Sequence, residues 1–246
     1  MPRNRAKIEL PDKASRLEAD FISLTSHQLR TPLTGVKWLL ELLEQSKTDN
    51  LTRKQKDILE KIYLANERMI KLVNDLLEVS RLESGNTKLY LQPTDLAGTI
   101  NQVLRQEASE IKKKEIRVTF TVEQEPFPFV DSEPIKIKQA VLNLVENAIT
   151  YCREKSRIDI NLMLDHGFAH VTFRDTGVGI PKAQQPRVFS KFFRGSNILE
   201  FESTGTGLGM YITKSFIEAS GGRIWFESKQ GKGTTFHFTL PVEKSA

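Results

Sequence analysis

The stretch TSHQLRTPLTG (residues 25–35) sets a histidine five residues ahead of a proline, inside a segment that otherwise reads as helix. A neutral imidazole, with an ordinary pKa of about 6.5, offers a nucleophilic lone pair around neutral pH. Pro32 lacks the N–H that would bond to the Gln28 carbonyl, and its ring crowds that same carbonyl. The helix is therefore loosened one residue past His27, which suits a side chain that must meet two partners in turn. Thr31, four residues after His27, shares its face of the helix.

A second set of residues points to phosphate. DTGVGIP (175–181) and GTGLGM (205–210) each space glycines two apart, and glycine allows positive φ and close backbone approach. The pattern predicts a helix over 207–219 opened by Gly207 and Gly209. The free N–H groups of a first helical turn favour phosphate, so the run Gly205, Thr206, Gly207, Leu208, Gly209 fits a phosphate cradle. Glycine pairs also make ordinary turns, and neither the P-loop pattern nor GxGxxG occurs. KQAVLNLVENAITY (138–151) puts Asn143 and Asn147 on one helix face, although asparagine is a poor interior helix former. Amide oxygens are hard, neutral ligands of the kind magnesium accepts. Spacing alone leaves magnesium ligation and satisfaction by backbone equally open.

The elements that must carry these groups fall into two halves. Residues 14–84 read as helix, with Ile22, Leu29, Val36 and Leu43 recurring every seven residues. Ile58, Ile62, Ala65, Met69, Leu72, Leu76 and Val79 form a second seam in steps of four and three. Thr52 and Gln55 fit a capping box that opens the second helix, and the short connection implies an antiparallel hairpin. Leu24, Leu33, Leu40, Ile70, Leu77 and Leu82 widen the stripes beyond what one hairpin covers, so two hairpins packed as a four-helix dimer are expected. From residue 88 onward KLYLQP, IRVTFTV, RIDINLML, FAHVTFRD, GRIWFES and GTTFHFTL read as strands, with helices near 95–109, 133–151 and 207–219. The fold class is α+β in two domains, helices on one face of a mixed sheet in the second. The boundaries are 1–84 and 89–246, with a hinge at about 85–88. Residues 176–206 form a long excursion of the kind that serves as a lid.

Composition narrows the classes. The chain has 246 residues, a net charge of +5 and a pI near 9.2, but its Lys and Arg are spread among 31 acids, so nucleic acid is not expected as a partner. One cysteine, Cys152, allows no internal disulfide and suits a reducing cytoplasm. No apolar run reaches the roughly 18–20 residues of a membrane span, and an anchor upstream of a trimmed piece stays open. His27, His166, His170 and His237 lack zinc-type spacing.

These stretches together resemble the sensor histidine kinases of two-component systems. FISLTSHQLRTPLTGVK is similar to their H box and KQAVLNLVENAITY to their N box. DTGVGIP and GTGLGM resemble the two G boxes, RVFSKFFRG the F box, and GKGTTFHFTLP the closing strand, all in the family's order from about residue 15 to 241. The resemblance implies a dimerisation and phosphotransfer hairpin followed by a Bergerat-type ATP-binding domain with an α/β sandwich. It implies ATP-dependent phosphorylation of an outward-facing His27, with transfer to an aspartate on a response-regulator receiver domain.

By the same carry-over Asp175 would accept from the adenine amino group, with Gly177 and Gly179 giving the base room. Asn147 would hold Mg²⁺ with Asn143 beside it, and Tyr151 would lie near the phosphates. Thr150 stands where many relatives have lysine, and Lys191 and Arg194 in the lid would supply charge instead. Phe189, Phe192 and Phe193 would pack the lid. Gln28 replaces the acidic residue common after the histidine, so it can orient the ring but cannot carry charge or take its proton. Thr31 would help orient water for dephosphorylating the partner. Other Bergerat-type proteins hydrolyse ATP with a glutamate four residues before the magnesium asparagine; here that place is Asn143, which is not a base. Gln28 and Thr150 motivate the alternative, a phosphotransfer, phosphatase or docking module with weakened kinase activity. A sensor domain would lie upstream of this chain.

Overall fold

The computed structural model describes residues 13–45, 51–84, 90–196 and 205–243. The side chains of residues 13–24, 26, 27, 44 and 45 also lie outside what is described, and with them the expected exposure of His27 and the hinge at 85–88. The chain divides into two compact units, residues 1–88 and 89–246.

The first unit is a pair of long helices, α1 (Lys13–Gln45) and α2 (Arg53–Glu83). The capping box forms: Thr52 accepts from the Gln55 N–H at 3.3 Å, and Gln55 Oε1 accepts from the Thr52 N–H at 2.8 Å. Contacts from residues 30, 33 and 37 to 74, 66 and 67 run the helices antiparallel. Along the hairpin the least exposed residues include Asn66, Val73 and Leu77, with Leu33, Leu40 and Ile70 partly covered. The seven-residue seam points elsewhere. Leu29, Val36, Leu43, Ile58, Ile62, Met69 and Leu72 are all exposed on the single hairpin, as is Trp38 at 60%. Leu76 and Val79, at the end of the second seam, are half-buried and buried, and the rest of the described seam is left exposed.

The second unit is built on a five-stranded sheet. Its strands are β2 (Arg117–Val122), β4 (Arg157–Asp165), β5 (Phe168–Asp175), β7 (Gly233–Pro241) and β6 (Arg223–Lys229), in that spatial order. The β2–β4 pair is parallel and the other pairs antiparallel. Cross-strand rows alternate faces. Phe120, Ile160, Phe173, Phe236 and Phe226 make one row, while Thr121, Asn161, Thr172, His237 and Trp225 make the next, more polar one. The apolar face is covered by α3 (Leu96–Gln106), α5 (Pro134–Tyr151) and α6 (Gly209–Ala219), with Ile100, Val103, Val141, Leu144, Ile212 and Phe216 fully buried.

Two local outcomes differ from the sequence reading. Of KLYLQP, the described residues 90–93 contribute only the start of a three-residue strand, β1 (Gln92–Thr94), which pairs outside the main sheet with β3 (Val130–Ser132). The helix read over 95–109 breaks into α3 and a short α4 (Ala108–Lys113).

Phe238 is 1% exposed and stacks 6.1 Å from Phe173. Phe238→Ala is expected to cost about 3–5 kcal/mol, read as a lower urea midpoint of the second unit; a shift worth under about 1 kcal/mol would contradict a close-packed sheet core.

Candidate active site

Asp175 closes β5 and is 7% exposed. Its Oδ1 accepts from the Gly177 N–H at 2.8 Å and the Thr234 N–H at 3.2 Å. Burial pushes the carboxyl above its ordinary range, and these two donors pull part of the way back. With Oδ1 saturated by backbone, Oδ2 is the oxygen offered to a ligand donor.

The loop after Asp175 is stitched down by backbone. Val178 N–H donates to Tyr151 O at 3.1 Å, and Gly231 N–H to Val178 O at 2.7 Å. A Cβ on Gly177 would lie 2.4 Å from Tyr151 O. Gly179 combines φ of +63° with a Cβ position 2.2 Å from Lys229 O. Both glycines are thus required by neighbouring carbonyls. Three side chains that sequence reading missed complete the loop. Ser228 Oγ accepts from the Ile180 N–H at 2.8 Å, Gln185 bonds to Ile180 O and Ser228 O, and Thr234 sits across from Ser228 at 2.9 Å. Only the fold brings 180, 185, 228 and 234 together, so no spacing announced them.

On α5, Asn143 and Asn147 do share a face, directed at α6. Asn143 is buried, and its Nδ2 donates to Gly209 O and Thr213 Oγ1, each at 3.2 Å. Its amide is a brace between two helices, in keeping with the backbone satisfaction that the spacing left open, with Thr213 as a further partner. Asn147 Nδ2 meets Met210 Sδ at 2.9 Å, which turns its amide oxygen to the opposite side. Lys114, also missed, caps the last turn of α5 by donating to Ile149 O and Thr150 O at 2.8 and 3.1 Å. Tyr151 ends that helix half-buried.

The helix read over 207–219 starts at Gly209, because Gly207 has φ of +74° and cannot be helical. A Cβ there would meet Phe192 backbone at 2.8 Å. Leu208 is fully buried and its N–H donates to Thr206 Oγ1, while Gly205 is exposed. Among the described residues no side-chain hydrogen bond caps the N-terminus of α6. Lys191 Nζ lies 5.3 Å over the Tyr211 ring, which puts its charge beside that first turn, and Arg194 is exposed on the same stretch. Phe189 packs edge-on against Phe226 and under Lys214; Phe193 takes Arg187. Phe192, expected to pack, is 60% exposed with φ of +58°.

In the first unit, His27 and Pro32 both lie within α1, which runs unbroken past the proline. Gln28 and Thr31 are exposed.

Two family models match the chain. Residues 17–85 match the His Kinase A (phospho-acceptor) domain, and residues 132–244 match the histidine kinase-, DNA gyrase B-, and HSP90-like ATPase. The chain is a sensor histidine kinase core. It is 32% identical over 235 residues to the sensor protein kinase WalK of Staphylococcus haemolyticus (strain JCSC1435), covering 94% of this chain and 38% of that protein. It is also 32% identical over 237 residues to the signal transduction histidine-protein kinase BarA of Escherichia coli (strain K12), covering 94% and 25%. The crystal structure of full-length ShkA in complex with AMPPNP superposes with a TM-score of 0.75 at 27% identity, covering 93% of this chain and 47% of that one. The chain therefore spans between a quarter and just under half of the length of these proteins. Among the described residues no helix is long and apolar enough to cross a membrane.

The donor set of this kinase core fits a nucleotide with magnesium. The N-terminus of α6, a buried carboxylate with one oxygen spoken for, and the amide oxygen of Asn147 are groups of the kind that would suit phosphate, an exocyclic amine and a hard cation respectively. Among the described residues no cluster of three or more His, Cys, Asp or Glu could hold a metal alone. Magnesium would thus be held jointly with phosphate oxygens and water, its usual mode.

Asp175's folded pKa stands above its ordinary 3.8, so its charge opposes folding once pH passes through that raised value. Asp175→Asn, which keeps an acceptor for both N–H groups, is expected to melt no lower than the parent at pH 7 without ligand. Differential scanning fluorimetry checks this, and a clearly lower Tm would reverse the assigned sign.

Proposed function

We propose that the chain catalyses ATP-dependent phosphorylation of His27 and passes the phosphoryl group to an aspartate on a response-regulator receiver domain. The observation that carries this reading is the use made of Asn143. The residue four before the proposed magnesium ligand is committed to Gly209 O and Thr213 Oγ1 as a donor, and an amide cannot take a proton from water. Water attack is left without a base, and bound ATP is left for the histidine. The AMPPNP held by ShkA supports the nucleotide assignment.

In this reading Asp175 Oδ2 accepts from the adenine amino group, which selects adenine over guanine. The first turn of α6, with Gly205 to Gly209 leading into it, receives the phosphates, and Tyr151, Lys191 and Arg194 line their approach. Asn147, with Asn143 behind it, would hold Mg²⁺, which neutralises phosphate charge. His27 attacks through its neutral ring nitrogen; the N–P bond forms as the bond from the γ-phosphorus to the bridging oxygen breaks and ADP leaves. Gln28 orients the ring by hydrogen bonding without supplying charge, and Thr31 positions water when the partner is dephosphorylated.

The exposed seam on the hairpin supports a homodimer. Leu29, Val36, Leu43, Ile58, Ile62, Met69 and Leu72 would be buried against a second copy as a four-helix bundle. A sensing domain upstream, absent from this stretch, fits the short share of the relatives that is covered.

His27→Gln should abolish acid-labile incorporation of ³²P from γ-labelled ATP, and label that persists would place the acceptor elsewhere. Asp175→Asn should weaken TNP-ATP binding by roughly 100-fold, since an amide N–H would face the adenine amine. Gln28→Glu should phosphorylate faster than the parent, by less than the roughly 10²–10⁴-fold that a full general base supplies. An unchanged rate would remove the expectation that Gln28 slows the kinase step, whereas a parent that takes no label on His27 would favour the docking or phosphatase module.

A further inference from the structure

A side-chain clamp crosses the hairpin one helical turn beyond His27. Arg30 on α1 donates from Nε and Nη2 to a single acceptor, Asn74 Oδ1 on α2, at 3.0 and 2.6 Å. Two more polar contacts tie the helices on the far side of Pro32. Asn66 Nδ2 donates to Leu33 O at 3.0 Å, and Lys37 Nζ meets Glu67 Oε1 at 3.0 Å while lying over the Tyr63 ring. The helix is thus tied to α2 on both sides of Pro32, and the Arg30 tie is the one on the histidine's side.

We propose that Arg30, held by Asn74, is a positioning residue for phosphoryl transfer: it fixes the rotation of the turn that presents His27. The proposal rests on the reading of His27 as the phosphoacceptor. Three residues of α-helix separate the two Cα atoms by about 4.5 Å along the axis and about 60° around it. Pro32 removes the backbone rung that would close on the Gln28 carbonyl, so this turn is held by fewer bonds of its own. A ring about 6 Å from the helix axis moves about 2 Å when the turn rotates by about 20°. In-line attack tolerates far less, since misplacement by about 1 Å can cost about 100-fold.

The chemistry of the pair suits the task. Both donors on one edge of the guanidinium converge on one oxygen, so a single orientation satisfies them, and an ammonium has no such edge. The acceptor is a neutral amide and is solvent-exposed, so the clamp is modest in strength. It biases the turn without freezing it, as a histidine with two successive partners requires.

The test uses the full chain and follows ³²P labelling of His27, separating the rate at saturating ATP from the KM for ATP. Arg30→Ala and Asn74→Leu should each lower the saturating rate by about 5- to 10-fold, with KM moving by less than about 2-fold. Asn74→Asp, which keeps an acceptor for both donors, should stay within about 2-fold of the parent. The double variant Arg30→Ala/Asn74→Leu should be no slower than the slower single, because the pair acts as one unit. Arg30→Lys keeps helix and charge but loses the fork, so it decides the matter if Arg30→Ala fails to fold; it should lose about 3-fold. Parent-like rates in the variants, losses that multiply in the double, a loss confined to KM, or an Asn74→Asp variant as slow as Asn74→Leu would each overturn the clamp. A parent that takes no label on His27 overturns the phosphoacceptor reading and the clamp with it, whereas a labelled parent with unaffected variants overturns the clamp alone.

Discussion

A carboxylate buried at the end of a strand has to be answered, and how Asp175 is answered organises the second unit. Its Oδ1 takes N–H groups from Gly177, two residues on, and from Thr234, at the start of β7. Those two bonds bind the glycine loop to the sheet and fix the spacing between β5 and the β6–β7 turn. The close approaches that follow, Gly177 against Tyr151 O and Gly179 against Lys229 O, leave no room for side chains. The carboxyl's raised pKa is the energetic trace of this choice: the fold tolerates an unfavourable charge where a ligand donor would relieve it.

The joint between α5 and α6 is the second constraint. Asn143 links the two helices through one amide nitrogen, and Asn147 meets Met210 in the first turn of α6. These contacts set the start of α6 against the asparagine face of α5. The residue that joins the helices is an amide, which cannot act as a base toward water. Structural bracing and the proposed choice of kinase over hydrolase chemistry therefore share a residue.

The hairpin solves a different problem. Leu33, Leu40 and Ile70 are partly covered and Val73 and Leu77 buried, while most of the regular seam up to Leu72 stays exposed, which leaves more apolar surface than one hairpin needs. Non-directional apolar contact sets no register by itself. Directional contacts at Arg30, Leu33 O and Lys37 supply it, on both sides of the one proline that loosens the helix. The order is local: each brace acts within a turn or two of Pro32.

Much of this was determined by the chain itself. Seven-residue periodicity, alternation in the strands and the Thr52 capping box depend on neighbours a few positions away, so the hairpin, the mixed sheet and α5 were legible from pattern. Asn143 and Asn147 shared a face because helical geometry leaves no other outcome. What the pattern left open was settled by contacts between residues far apart in sequence. The positive φ of Gly207 moved the start of α6 to Gly209, and the carbonyl of Gly209 drew Asn143 into a brace. Ser228, Gln185 and Lys114 joined the site with no motif to mark them, Thr234 came in from the closing-strand stretch without a role assigned to it, and Asn74 met Arg30 across 44 residues of chain. Hydrogen-bond partners at that separation are chosen by how the layers pack, and local spacing carries no record of it.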